Sequence, residues 1–226
     1  MILSRVIEHV KHQNWTAVAL DFVIVVLGVF IGIQVSNLNE ARLDRQRTSA
    51  LINAFRTDLN DFNQVQEEFA SRCAKGFAAF DKARARGEEP APYFLRISGS
   101  ESPPLSVWQA AIQSDLAELI PPELLFELGY FYSEQQGMSV KYIRYDAFVE
   151  SRILPYLNDP GHFYDARDRL KPEYAQNMAL LREWMSDNSV LQRSSQCLLK
   201  RFENPYDAGE SCRPHYETFD EKMNRS

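Results

Sequence analysis

The 226 residues carry a formal net charge of −6, with 45% hydrophobic residues, 25% charged and nine glycines, which excludes a disordered chain and a glycine-rich repeat. At roughly 150 residues per domain, the length suits one large domain, or a modest domain with an appendage, rather than a two-lobed enzyme. The acidic balance and the lack of a basic block argue against nucleic acid as a partner, and three cysteines without a CxxC pair signal neither a zinc ribbon nor a thioredoxin-like site.

Residues 1–14 place Ile2, Leu3, Val6, Ile7 and Val10 at helical spacing opposite Arg5, Glu8, Lys11 and His12, an amphipathic lead suited to a bilayer surface. His9 and His12 lack a third ligand nearby and read as surface residues, and the Asn14-Trp15-Thr16 sequon reads as chance.

From Trp15 to Val35 the chain is apolar apart from Thr16, Asp21 and Gln34, and about 21 helical residues span roughly 30 Å, the thickness of a bilayer core. The expected transmembrane helix is 15–36. A cleaved signal peptide is the rival reading, but Gln34, Val35, Ser36 and Asn37 follow the apolar run where an A-x-A site would be needed. At 100° per residue, Gly28, Gly32 and Asn39 fall within about 20° of the direction of Asp21. Gly28 and Gly32 form a GxxxG, which lets another backbone approach, and a carboxylic acid within the span is costly unless it is protonated, paired or wetted. The stripe is therefore expected to be a helix-contact face, for a membrane-protein partner or a second copy. The opposing reading leaves Asp21 wetted near the interface and the glycines merely tolerated.

Orientation is divided. Arg42, Arg45 and Arg47 outweigh Arg5 and Lys11 and favour a cytoplasmic C-terminal part, whereas long domains translocate with little regard to such counts.

The run from Asp21 to Glu40, with Gly28, Gln34, Asn37 and Asn39, resembles the signature of an uncharacterised bacterial family of small single-span membrane proteins: an acid, an aliphatic run with a central glycine, a glutamine, then Asn-Trp-Asn-Glu. Leu38 stands where that family has Trp. The resemblance covers about the first 45 residues; beyond them only Trp108, Ala111 and the Leu124, Leu125, Leu128 pattern are similar. It implies location and architecture, with no activity or catalytic residue.

Beyond the span, Leu51, Phe55, Leu59, Phe62, Val65, Phe69, Cys73, Phe77 and Phe80 recur at intervals of three or four, predicting one long amphipathic helix from Leu43 to about Ala85. A kink at Asn37 to Asn39 and an unbroken run from the span are both compatible with this pattern. The aromatic stripe reads as a core face rather than a ligand box. An ordered loop is expected over 87–105, with a short extended piece at Tyr93 to Ile97. A helix capped by Ser106 is predicted from Val107 to Ile120, with Ile112, Leu116 and Leu119 on its apolar face, before the Pro121-Pro122 stop. A helical pattern from Leu124 to Tyr132 resumes after Gly137 through Tyr142, Tyr145, Phe148 and Ile153. Asn158 to Gly161 predicts a turn. Pro172 starts a helix with Ala175, Leu180, Leu181 and Trp184, and Asn188-Ser189 caps a last one through Leu191, Cys197 and Phe202. The expectation is an all-α bundle over 37–203 with no sizeable sheet, followed by a loose polar tail, 204–226.

No GxSxG, P-loop, Rossmann fingerprint or HExxH is present, so no catalytic residue, metal ligand or cofactor site is assigned. Tyr130, Tyr132, Tyr142 and Tyr145 read as packing rings rather than a pocket; Glu67 with Glu68, and Asp207 with Glu210, read as solvated pairs. Three function classes follow: a non-catalytic accessory or scaffold subunit docked on a larger membrane assembly, a sensor acting through a partner because the lead is expected to be too short for an output domain, and an enzyme of unrecognised type. The return between Cys197 and Cys212 permits a disulfide closing a loop of about 15 residues, with Cys73 left as a buried thiol. That bond would put the bundle in the bacterial periplasm and the lead in the cytoplasm. Three reduced thiols in a cytoplasmic domain, or a Cys73 bridge, are the alternatives.

Overall fold

The structure is a computed structural model that describes residues 15–96, 106–113, 115–205 and 209–215. The chain is all-α: α1 (Trp15–Ala85), α2 (Ser106–Ile112), α3 (Pro122–Phe148) and α4 (Pro172–Arg201), joined by short 3₁₀ and π turns. Among the described residues the only β pairing is an isolated bridge between Tyr164 and Leu170. The chain divides into two units, Met1–Ser49 and Ala50–Ser226.

In the first unit α1 passes through Asn37 to Asn39 without a break, since neither proline nor glycine interrupts the backbone ladder there. Apart from the half-buried Asp44 and Thr48, the side chains described up to Ser49 are exposed.

The second unit has two layers of core along its helices. One gathers Phe55 and Leu59 of α1, Leu124, Leu128, Phe131 and Tyr132 of α3, and Leu191 and Leu198 of α4. The other gathers Phe69, Cys73 and Phe77 with Tyr145, Val149, Phe163, Tyr174 and Leu181. Of the predicted stripe, Val65 is instead exposed. Gln66 takes the inward position between the layers, because the 3.6-residue period passes from Phe62 through 66 to Phe69.

Local chemistry sets the ends. Gly87, at φ 75°, closes α1: its N–H bonds the Arg84 carbonyl at 2.9 Å and the Glu88 N–H bonds Ala83 at 3.1 Å, a left-handed cap that favours glycine. Gly76 leaves room for the ring of Tyr93, whose hydroxyl donates to the Arg72 carbonyl at 3.0 Å, so the segment after α1 returns along the helix. Pro122 and Pro172 open α3 and α4, where a missing N–H costs nothing.

Three expected boundaries differ. The Val107 to Ile120 helix stops at Ile112, half exposed, and a 3₁₀ turn, Asp115–Leu119, follows. Gly137 does not divide α3, because burial of Met138 and Tyr145 outweighs the roughly 1 kcal/mol that an interior glycine costs. Asn188-Ser189 caps nothing: Asn188 is buried inside α4, and the Ser189 hydroxyl bonds back to the Ser186 carbonyl at 2.7 Å while the apolar period runs on to Leu198. Within α4, Ala175 and Leu180 are exposed beside a buried face made by Tyr174, Asn177, Met178 and Leu181. Pro155 lies behind the π turn Val149–Ile153, since it removes one N–H from the ladder and crowds the carbonyl four residues back; the Leu154 N–H bonds Val149 instead.

Candidate functional site

The first candidate lies wholly within the first unit. Asp21, Gly28, Gly32 and Asn39 are all exposed, and a Cβ added at either glycine would meet nothing within 4 Å. Nothing among the described residues therefore requires glycine at those two positions. The residues around them, including Phe22, Val25, Val29, Phe30 and Ile33, are large, apolar and uncovered, with Phe22 69% exposed. In water this stretch would be a large unpartnered hydrophobic surface. Among the described residues, one helix is long and apolar enough to cross a membrane. His9 and His12 of the lead, and Asn14 of the sequon, lie outside the described residues.

The second candidate is the end of the helical body around Cys212. The Cys197 and Cys212 sulfurs are bonded, with Cα atoms 5.3 Å apart, and Cys73 is a free, buried thiol. Residues 209–215 were expected in a loose tail, but their backbone is tied down. The Cys212 N–H donates to Glu127 at 3.0 Å, the Ser194 hydroxyl donates to the Cys212 carbonyl at 2.5 Å, and Arg201 donates to the Glu210 carbonyl at 2.6 Å. Arg201 also sits 3.7 Å from the Glu127 carboxylate, both side chains over nine-tenths buried. Arg213 lies over the exposed rings of Phe126 and Tyr130 at 4.9 and 5.0 Å. The polar composition hid these contacts, because all but the Arg201 bond to Glu210, nine positions apart, join residues 18 or more positions apart. One signal was legible: Glu127 interrupts the apolar run Leu124 to Leu128 on the inward face of α3.

The four tyrosines divide by depth. Tyr132 and Tyr145 are buried, Tyr142 is half-buried and Tyr130 is exposed. The Tyr132 hydroxyl donates to Asp58 at 2.5 Å; burial pushes the Asp58 carboxyl above its ordinary range even though this hydrogen bond pulls it down. Tyr145 accepts the Leu95 N–H at 2.9 Å and is the one of the four that lines a cleft between α3 and α4. Burial pushes the Cys73 thiol up to about 11, leaving it a poor nucleophile at neutral pH. Glu67, Glu68 and Glu210 are exposed, Asp207 lies outside the described residues, and among the described residues no three His, Cys, Asp or Glu side chains are grouped to hold a metal.

Comparison of the chain with protein-family models, with curated proteins and with solved structures found no match. Fold and sites together define an all-α protein with one membrane-span candidate helix and a disulfide-closed helical body.

Proposed function

We propose that this chain is a single-pass bacterial inner-membrane protein, N-terminus in the cytoplasm and helical body in the periplasm, acting as a non-catalytic accessory or scaffold subunit of a larger membrane assembly. The observation that carries the reading is the uncovered apolar stretch of α1 with Asp21, Gly28 and Gly32 along one line. Lipid satisfies the large aliphatic side chains, but it has no use for a carboxylic acid or for two missing side chains, and a partner helix has a use for both. The likeness of Asp21 to Glu40 to the single-span family signature supports the same location. The Cys197–Cys212 bond supports the periplasmic side, since such bonds persist in oxidising compartments.

Purification in mild detergent followed by mass spectrometry tests the proposal. A stoichiometric membrane-protein partner is expected, lost when Gly28 and Gly32 are both replaced by Leu, weakened by Asp21→Leu and kept in Val29→Leu. Equal assembly of all variants refutes the contact face. Free, fully alkylated Cys197 and Cys212 at lysis refute the periplasmic placement. A second reading, a membrane-anchored ligand-binding or sensor body acting through a partner, draws support from the cleft between α3 and α4; a lone homodimer in the same purification would favour it.

A further inference from the structure

The two layers of core in the helical body meet at a polar level. On α1 the first layer ends at Phe62 and the second begins at Phe69, and Trp184 is the one described side chain packed against both. Contacts on either side fix which residues fall between them. Phe62 meets Phe131 with ring centroids 5.2 Å apart, and farther along α1 Phe69 and Cys73 share the second layer with Tyr145, so α1 and α3 run parallel. One turn beyond Phe62 and Phe131 come Gln66 and Gln135. The Ser195 hydroxyl donates to the Leu59 carbonyl at 3.2 Å, and Phe69 meets Trp184 at 4.5 Å, so α4 runs antiparallel to α1. Two turns from that hydrogen bond, forward on α1 and back on α4, come Gln66 again and Asn188.

Three helices thus bring an amide side chain to one level, and these amides are not joined. The Oε1 atoms of Gln66 and Gln135 and the Nδ2 of Asn188 have no partner among the described residues, and neither do, one turn away, the Oδ1 of Asn63 and the Nε1 of Trp184. All five atoms are shielded from bulk solvent. Buried polar groups in folded proteins nearly always find a hydrogen-bond partner. A cation would leave the Asn188 N–H unpaired, and an anion would leave the amide oxygens unpaired. Water donates as well as accepts, and it fits a gap between packed helices. A wet level interrupts the apolar contact between the two layers, which weakens their coupling. The layers are also unequally secured: the Cys197–Cys212 bond closes the first, whereas Cys73 in the second is a free thiol.

We propose that the level of Gln66, Gln135 and Asn188 is an internal water site that divides the helical body into two cooperative units, and that the half around Phe69, Tyr145 and Leu181 opens while the disulfide-closed half stays folded. The inference concerns the helical body and stands whether or not α1 has a partner in the membrane.

NMR of the isotopically labelled full chain in detergent tests it by two readouts. Amide hydrogen exchange at a series of sub-denaturing urea concentrations is expected to separate two groups: Cys73, Tyr145 and Leu181 exchange about tenfold faster or more than Leu59, Leu128 and Leu198, each group with its own urea dependence. Rotating-frame cross-relaxation from water is expected at the side-chain amide protons of Gln66, Gln135 and Asn188. In the triple variant Gln66→Met, Gln135→Met, Asn188→Leu, which fills the level with apolar groups of similar size, both groups are expected to exchange at one rate with one urea dependence. A single exchange class in the wild-type chain, absence of water cross-relaxation at the three amides, or two classes that persist in the triple variant overturns the proposal. If the triple variant fails to fold, the two measurements on the wild-type chain decide.

Discussion

Replacing Cys197 and Cys212 together by alanine removes a cross-link over a sequence separation of 15 residues. Loop-closure entropy for a ring of that size assigns the bond about 3 kcal/mol, through restriction of the unfolded chain. For a body of this size each kcal/mol corresponds to about 2–4 °C, so the melting temperature is expected to fall by about 6–12 °C. The loss has a local signature. Residues 209–215 are held by the bond, the Cys212 N–H to Glu127, the Ser194 hydroxyl and the Arg201 guanidinium, and without the cross-link the backbone hydrogen bonds alone must keep the segment ordered. Differential scanning fluorimetry of the purified protein measures the first effect, and hydrogen exchange at position 212 measures the second, faster exchange being expected. A shift below about 2 °C with unchanged protection at 212 would refute the reasoning, because the segment would then be held by its hydrogen bonds rather than by the covalent link.

Gly76→Ala puts a methyl group into the Tyr93 ring and is expected to destabilise the body by about 1–3 kcal/mol in chemical denaturation; in a Tyr93→Ala background the same change should be neutral or stabilise by up to about 1 kcal/mol, the helix preference of alanine. Burial raises the Asp58 carboxyl above its ordinary 3.8, so its contribution to stability is present at low pH and is lost as pH rises through the carboxylate range. Asp58→Asn, which keeps an acceptor for Tyr132, should therefore gain melting temperature relative to wild type between about pH 3 and pH 6, and a flat difference across that range would contradict the assignment. With its thiol pushed up to about 11 and no exposed surface, Cys73 should resist N-ethylmaleimide at pH 8 in the native protein and label rapidly in urea, one thiol per chain; native labelling would show that the α1 stripe opens.

What the amino acids determine alone is what needs only short-range periodicity. The span from Trp15 to Val35, the Phe55, Leu59, Phe69, Cys73 and Phe77 stripe of α1, and the starts of α3 and α4 at Pro122 and Pro172 are readable because each follows from local backbone chemistry or a 3.6-residue repeat. The places where helices continue despite a local stop were not readable. Gly137 and Asn188-Ser189 are breakers by propensity, and they are overruled by burial of Tyr145, Asn188 and Leu191 against helices far along the chain. The tying of the Cys212 N–H to Glu127, and the meeting of Tyr145 with Trp184 on one cleft, depend on residues 85 positions apart or on two helices side by side. Such meetings belong to the tertiary structure, because a buried hydrogen bond is set by which surfaces the hydrophobic layers bring together, and no local pattern of residues carries that information.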